Sequence, residues 1–419
     1  MTMFKMNRRD LFAGAAIAGA MAASPGFAKA KKRRFVINAL GGLYDPLAEK
    51  PTDAQIAAHY VDQRSIDDAR KAGVAATNLT LGYVFGDGDP FATTVDDVAW
   101  WTQAIRLRPD ELSLILAASD IRAAQKQGKA GLIFGFQSTE MFEGDAARAR
   151  LFSDLGVRVV QLTYNLKSAV GDGALVPENG GLTEFGHDLV AALNAQNLLV
   201  DLSHGGQRLT LDAIAASAAP PAITHSGCAA LAPHPRNKTD EEMRALAERG
   251  GVMGVYFIPY LTPGRQHMAA DIVLHIEHAL NVMGEDHVGI GTDRFMTGVD
   301  DMDKLSALRR AEIERRKALG VGAPNEDPDL ITRRAGPDRS GTVRKAGYDA
   351  FRARPFRCAD RQDPPAETSC DCLKKFGARR SERAPRRPSM REAGQSPRAI
   401  VDVQKSRRYC ATVFQRGPE

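Results

Sequence analysis

The sequence lacks several features whose absence excludes whole classes of protein. It has only five cysteines in 419 residues, too few for a disulfide-rich scaffold. Apolar residues never run for about 18 positions, so no membrane-spanning helix is expected. Gly-x-Gly-x-x-Gly, phosphate-loop and Gly-x-Ser-x-Gly motifs are also missing, which argues against dinucleotide sites, P-loop sites and serine-hydrolase elbows.

Charge is unevenly distributed, although the net charge of the whole chain is only +5. Residues 332–419 contain 22 Lys and Arg against 10 Asp and Glu, a net charge of +12. Residues 1–331 contain 34 basic and 41 acidic residues, a net charge of −7. A mildly acidic body argues against nucleic acid as a partner, because the phosphate backbone is bound by basic surfaces.

Residues 1–30 are typical of an export signal. Arg8 and Arg9 precede a short apolar run over residues 11–23, and residues 24–30 (SPGFAKA) include small side chains that suit a signal peptidase. This order indicates a twin-arginine signal. We therefore expect the twin-arginine export machinery to carry the folded chain to the periplasm of a double-membraned bacterium.

Residues 332–419 form a basic tail in which only ten residues are Leu, Ile, Val or Phe. This composition is typical of segments with little order. Cys370 and Cys372 suggest a metal-binding tail, but no second cysteine pair or nearby histidine has usable spacing. A basic RNA-binding tail is a second interpretation. Out-of-frame translation of a GC-rich gene is the third, and the one we favour.

The middle of the chain alternates short apolar runs with helical patterns. The runs lie at residues 35–40, 75–81, 131–137, 158–164, 198–204, 221–225, 251–257 and 287–293. Nearly continuous apolar runs are typical of parallel strands covered on both faces. Between them, Thr239 and Glu242 have the spacing of a capping box at a helix start. Eight strands joined by helices predict an α/β fold, a (β/α)8 TIM barrel over residues 31–331.

Polar side chains stand at the ends of five of these predicted strands. They are Gln137, Tyr164, His204, His225 and Asp293. In a (β/α)8 barrel the carboxyl ends of the strands meet at one mouth, where working residues lie. Neutral imidazoles bind Zn²⁺ and similar metals, and a nearby carboxylate adds charge or acts as a base. The sequence therefore predicts a metal site with two histidines and an aspartate at this mouth.

Seven short segments follow one another in order along the predicted barrel: residues 135–141 (GFQSTEM), 161–165 (QLTYN), 181–186 (GLTEFG), 201–204 (DLSH), 223–226 (ITHS), 235–237 (PRN) and 288–293 (VGIGTD). Together they resemble the membrane (renal) dipeptidase family of metal-dependent, amidohydrolase-like barrels. The resemblance covers about residues 35–319. It implies a site in which two Zn²⁺ ions share a bridging carboxylate and activate a water that cleaves a dipeptide.

The resemblance also implies roles for five residues. His204 and His225 correspond to the ligands of one metal, and Asp293 to the acid/base that handles the proton of the attacking water. Arg236 corresponds to the clamp for the C-terminal carboxylate of the substrate, which suits a bidentate guanidinium. Tyr164 takes the place of a substrate-contacting histidine, and its phenol can donate a hydrogen bond there.

The ligands of the other metal are missing from this sequence. The first strand of the family ends in His-x-Asp, where this chain has Leu40 and Gly42. Gln137 occupies the bridging position, and a neutral amide cannot hold two dications as a carboxylate does. Glu140, three residues further on, is a candidate substitute ligand. We therefore expect one Zn²⁺ ion rather than two.

The sequence thus predicts a metallodipeptidase-like hydrolase whose small-molecule substrate is a dipeptide. Two alternatives stay open: a non-catalytic relative that binds a peptide or amino acid, and an amidohydrolase acting on an amide, ester or lactone. The lost ligands favour the non-catalytic alternative, whereas the retained His204, His225, Arg236 and Asp293 favour an enzyme. A homodimer is an open alternative for the assembly.

Overall fold

The computed structural model describes residues 35–48, 52–327 and 330. The predicted signal at residues 1–30 and the basic tail at residues 332–419 lie outside the described residues. Within the described part, no helix is long and apolar enough to cross a membrane.

The described residues contain a nearly closed barrel of parallel strands. The strands are β1 (Val36–Asn38), β2 (Gly41–Gly42), β3 (Val74–Thr80), β4 (Leu112–Leu114), β5 (Ala130–Phe136), β6 (Val157–Gln161), β7 (Leu199–Asp201), β8 (Ala222–Ser226), β9 (Val252–Val255), β10 (Val288–Ile290) and β11 (Arg294–Phe295). Eight of them pair in the order β1-β3-β5-β6-β7-β8-β9-β10, and β4 pairs with β5 alone. Each of the eight predicted strands is present, so the predicted TIM-barrel class is confirmed.

Helices alternate with these strands, as expected for β/α units. They are α1 (Asp53–Ala57), α2 (Gln63–Ala72), α3 (Pro90–Leu107), α4 (Ala118–Gln127), α5 (Arg148–Asp154), α6 (Glu184–Ala195), α7 (Gln207–Ala216), α8 (Asp240–Glu248), α9 (Ala269–Met283) and α10 (Met302–Ala318). The predicted capping box of α8 is present: the Thr239 hydroxyl accepts from the backbone N–H of Glu242, whose carboxylate accepts from that of Thr239.

The barrel closes between its first and last strands through side chains as well as backbone. Ala39 donates its backbone N–H to the carbonyl of Ile290 at 3.0 Å. The Asn38 amide donates to the Thr292 hydroxyl at 3.0 Å and accepts from the Thr292 backbone N–H at 2.9 Å. This pairing fixes the backbone immediately before Asp293, so barrel closure and the position of the candidate acid/base are coupled.

The core explains why the strands are almost entirely apolar. All seven residues of β5 are buried, because the strand is covered on both faces.

The short strand β4 was not predicted from the sequence. It has only three residues and pairs on one side, with β5, so it carries no long apolar signal.

Substituting Gly291 with alanine is expected to destabilise the barrel by about 3 kcal/mol, at the upper end of overpacking effects. A Cβ atom built at Gly291 lies 1.9 Å from the Thr224 carbonyl oxygen, which is backbone and cannot rotate away. Gly289 is the matched control, because its Cβ would meet nothing closer than Val252 at 3.7 Å. Thermal unfolding of both variants by circular dichroism checks this. Equal melting temperatures would contradict it.

Candidate active site

Side chains from the carboxyl ends of the strands surround one cavity of about 280 Å³. It is lined by Tyr44, Gln137, Tyr164, Asn165, His204, Arg236, Ile258, Pro259, Tyr260, Asp293, Arg294, Arg309, Glu312, Ile313, Arg316, Glu326 and Asp327. Five of the predicted site residues are therefore together. His225 adjoins them, because its Nε2 atom lies 3.0 Å from Nε2 of His204.

The His204 ring is oriented by Asn165. The Asn165 side-chain amide donates to the Val321 carbonyl at 2.8 Å, which turns its Oδ1 atom toward His204. That Oδ1 lies 2.7 Å from His204 Nδ1. Nδ1 therefore carries the hydrogen in this bond, and the Nε2 atom of His204 keeps its lone pair.

The His225 ring is oriented by a chain of buried hydroxyls that ends at Asp201. The Thr224 hydroxyl donates to Asp201 at 2.6 Å and lies 2.9 Å from His225 Nδ1. With Asp201 ionised, the Thr224 hydroxyl uses its single hydrogen on Asp201, and His225 Nδ1 then donates to the Thr224 oxygen. Burial raises the pKa of Asp201, and the hydrogen bonds that it accepts from Ser203 and Thr224 oppose that shift. The Nε2 atom of His225 therefore also keeps its lone pair.

The Nε2 lone pairs of His204 and His225 consequently face each other with no hydrogen between them. This arrangement is unfavourable unless a cation lies between the nitrogens. Burial and the Arg236 guanidinium hold the pKa of both histidines well below its usual value, so they are neutral, as metal ligands must be. Two nitrogen ligands of one tetrahedral Zn²⁺ lie about 3.3 Å apart. The pair thus fits one metal ion.

The remaining residues do not fit a second ion of the family type. Leu40 is buried between β1 and β2, with no donor atom in its side chain, and Gly42 has no side chain. Gln137 lines the cavity with an uncharged amide. Among the residues that the structure describes, no group of three or more His, Cys, Asp or Glu side chains is arranged to hold a metal.

Glu140 is not brought to the cavity. It starts the short 3₁₀ helix Glu140–Phe142 after β5, its backbone N–H is bound by the Ser138 hydroxyl at 3.1 Å, and its side chain is exposed. The neighbouring residues Met141 and Phe142 are buried, so the 3₁₀ helix turns the Glu140 side chain alone to the surface, and the structure does not support Glu140 as a substitute ligand.

Asp293 faces the cavity from a strained backbone. Its φ is +51°, in the left-handed region that non-glycine residues rarely adopt. Such strain persists where surrounding contacts enforce it, frequently at functional sites, and here the Asp293 N–H donates to the Leu40 carbonyl at 3.0 Å. Burial raises the pKa of Asp293 above its usual value, against the opposing charges of Arg294 and Arg236.

Tyr164 packs flat against the His204 ring, with centroids 4.4 Å apart, and Phe85 stacks on its other side at 5.3 Å. Burial raises the pKa of its phenol, so it stays a neutral donor. Arg236 is 1% exposed and donates from Nη1 to the Ser203 carbonyl, and it also lines the cavity. A hydrogen-bond donor and a buried cation thus adjoin the histidine pair.

Several lining residues were not predicted as site residues. Arg294 follows Asp293 directly, and Arg309 and Arg316 come from α10. Looking for polar residues at strand ends does not find Arg309 and Arg316, because they lie on a helix. They reach the mouth only because α10 packs beside it. Asn165, which orients His204, stands within the quoted QLTYN segment, but its role appears only from its two hydrogen bonds.

Comparison with known proteins agrees with the resemblance noted in the sequence. The family model described as membrane dipeptidase, peptidase family M19, matches residues 44–320. A Klebsiella pneumoniae protein described as uncharacterized, in the pqqA 5′ region, is 32% identical over 53% of this chain and 87% of its own length. Dipeptidase tcpJ of Claviceps purpurea is 30% identical over 50% of this chain and 52% of its own length. The chain thus spans about half the length of that relative.

Two solved structures share the fold. An amidohydrolase from Pseudomonas aeruginosa has a TM-score of 0.57 and 31% identity, covering 72% of this chain and 83% of its own. A Rhodobacter sphaeroides metallopeptidase, liganded with a phosphinate mimic of the dipeptide L-Ala-D-Ala, has a TM-score of 0.56 and 20% identity, covering 71% and 96%. Because the family model matches most of the chain, the protein belongs to the membrane dipeptidase family, peptidase family M19, and is a hydrolase of the metallopeptidase type.

Proposed function

We propose that this protein hydrolyses the peptide bond of a dipeptide with the help of one Zn²⁺ ion held by His204 and His225. The observation that carries the proposal is the pair of imidazole Nε2 atoms, 3.0 Å apart, with both Nδ1 hydrogens used elsewhere. This pair adjoins a cavity that also holds a carboxyl group, a phenol and a buried guanidinium.

A Zn²⁺ ion held by His204 and His225 would supply Lewis-acid chemistry, which would lower the pKa of a water and polarise a carbonyl. The chain's own residues do the rest. Asp293 accepts a proton from the attacking water and returns it to the leaving amine. Because burial raises its pKa, the carboxyl group is better matched to this exchange than an exposed aspartate.

Substrate orientation follows from the other lining residues. Arg236 binds the C-terminal carboxylate of the dipeptide, since a buried guanidinium attracts a carboxylate strongly. Tyr164 donates its phenol hydrogen to the oxygen that becomes negative during attack. The stacking of Tyr164 between Phe85 and His204 limits its motion and keeps that donor in place.

The relatives support a dipeptide as substrate by their own descriptions. Dipeptidase tcpJ is named for this activity, and the Rhodobacter sphaeroides structure contains a dipeptide mimic with a D-residue. A panel of substrates should therefore include both stereochemical series at the C-terminal position.

The test is an assay of the purified protein with L-Ala-L-Ala and L-Ala-D-Ala, after chelation and after return of Zn²⁺, by ninhydrin detection of free amino acids. We expect hydrolysis to vanish on chelation and to return with Zn²⁺ at about one equivalent per chain. Unchanged hydrolysis in chelator would contradict the metal. Saturable dipeptide binding by calorimetry without hydrolysis would favour a non-catalytic binding protein, which the missing second set of ligands supports.

A further inference from the structure

The charges around the candidate cavity are only partly paired. The arginines lining it are Arg236, Arg294, Arg309 and Arg316, and the carboxyl groups are Asp293, Glu312, Glu326 and Asp327. Arg316 and Glu326 form an ion pair at 2.8 Å, and the Tyr260 hydroxyl donates to the same carboxylate at 2.6 Å. Glu312 accepts two hydrogen bonds of 2.9 Å from Arg315. Glu326 and Glu312 therefore already have cationic partners.

Arg294 has unused donor capacity at the cavity. Its backbone is held by the parallel pairing of β11 with β2, opposite Gly41, and its Nε donates to the Phe257 carbonyl at 3.2 Å. The Nη2 atom is buried and has no hydrogen-bond partner in the described part of the chain. Burial and the charge of Arg309 lower the pKa of Arg294 to about 10. A buried guanidinium with an unpaired nitrogen is costly, so an incoming anion would relieve that cost.

Arg309 places a second guanidinium at the same cavity from α10. The hydrogen bond that its side chain makes to the described residues is a long one, 3.5 Å to the carbonyl of Leu330. Burial lowers the pKa of Arg309 as well, and the nearby Tyr260, Glu326, Asp293 and Asp327 oppose that shift. Two partly buried cations from different elements thus face one small space.

We propose that Arg294 and Arg309 form a second anion subsite in this cavity, separate from Arg236, and that the substrate is a dipeptide with an acidic side chain. The inference rests on the proposed function, in which Arg236 binds the C-terminal carboxylate. A volume of about 280 Å³ is at the small end of ligand pockets. The second anionic group therefore belongs to the same small molecule, and a carboxylate is the anionic group that amino-acid side chains supply.

The test compares ligands that differ only in charge. Calorimetry on the purified protein gives the dissociation constants of L-glutamate and L-glutamine, product-like molecules of equal size that no dipeptidase can cleave. Hydrolysis of Ala-Glu is compared with Ala-Gln, and of Glu-Ala with Gln-Ala, to find which residue carries the acidic side chain. The preference for the acidic ligand is expressed as a ratio of dissociation constants or of kcat/KM values. This ratio is measured for the wild type, Arg294→Gln and Arg309→Gln. Arg244→Gln is the control, because Arg244 lies on α8 and pairs with Asp240 at 3.4 Å.

The wild type is expected to favour the acidic ligand by about 10- to 100-fold, the effect of a hydrogen bond to a charged group. Arg294→Gln should reduce the ratio to below about 3, with Arg309→Gln intermediate and Arg244→Gln unchanged. If Arg294→Gln does not fold, Arg309→Gln decides alone. Equal binding of glutamate and glutamine by the wild type overturns the subsite. Discrimination without hydrolysis of any dipeptide keeps the subsite and overturns the dipeptidase proposal.

Discussion

Changing Asp293 to asparagine is expected to lower kcat/KM for dipeptide hydrolysis by about 10²- to 10⁴-fold, the usual contribution of a general acid/base. Asparagine keeps the shape of the side chain and can form the same backbone bond to Leu40, but it cannot accept a proton. Steady-state kinetics with L-Ala-L-Ala and L-Ala-D-Ala measure the loss. Asp154→Asn is the matched control, because Asp154 is exposed and pairs only loosely with Arg150, at 3.8 Å.

The same variant separates a catalytic role from a structural one. Burial raises the pKa of Asp293 in the folded chain, so its protonated form stabilises the fold at low pH, and this contribution is lost as pH rises through the folded pKa. At neutral pH the neutral asparagine should therefore leave the melting temperature unchanged or raise it, while activity falls. For the wild type, kcat/KM should fall on the acid side at a higher pH than an ordinary carboxyl group would cause. Parallel losses of stability and activity would contradict this.

Much of the site was predictable because parallel strands bring their carboxyl ends together. Tyr164, His204 and Asp293 are far apart in the chain, yet each follows an apolar run that forms a strand. The barrel geometry then brings all three to one cavity. This inference requires only the strand pattern and the common direction of the strands. It does not depend on the details of side-chain packing.

The parts that were not predicted depend on long-range packing. Arg309 and Arg316 reach the cavity only because α10 packs beside the mouth, and no local pattern in residues 302–318 indicates this. The tautomers of His204 and His225 depend on Asn165 and Thr224, whose roles need distances. Glu140 is close to Gln137 in sequence, and sequence proximity alone suggests it as a ligand. In the structure its side chain is exposed and lies outside the cavity lining.

Barrel closure is another feature that the strand pattern left open. The first predicted strand, residues 35–40, is observed only over Val36–Asn38. Beyond it, backbone bonds from Ala39 to Ile290 and from Asp293 to Leu40 continue along this edge. The Asn38 side chain adds two hydrogen bonds to Thr292. An asparagine at the end of an apolar run carries no signal for such a contact, because its partner is 254 residues away.

Replacing His225 with alanine is expected to lower Zn²⁺ affinity by more than about 100-fold, since even outer-sphere partners of a metal ligand contribute about 10- to 100-fold. The variant removes one of only two nitrogen donors, and the described residues offer no third His, Cys, Asp or Glu ligand to compensate. Zinc content after equilibrium dialysis, measured by mass spectrometry, gives the result directly and independently of catalysis.

His278→Ala is the matched control, because His278 lies on α9 and its Nε2 contacts Asp240 at 2.7 Å, outside the cavity. Thr224→Val tests whether the orientation of the His225 ring matters for Zn²⁺ binding. It removes the hydroxyl that fixes the His225 tautomer, and should weaken Zn²⁺ binding about 10- to 100-fold. Thr224→Ser retains the hydroxyl and should restore binding. If His225→Ala holds as much zinc as His278→Ala, the ion lies elsewhere, and the facing lone pairs of His204 and His225 require another explanation.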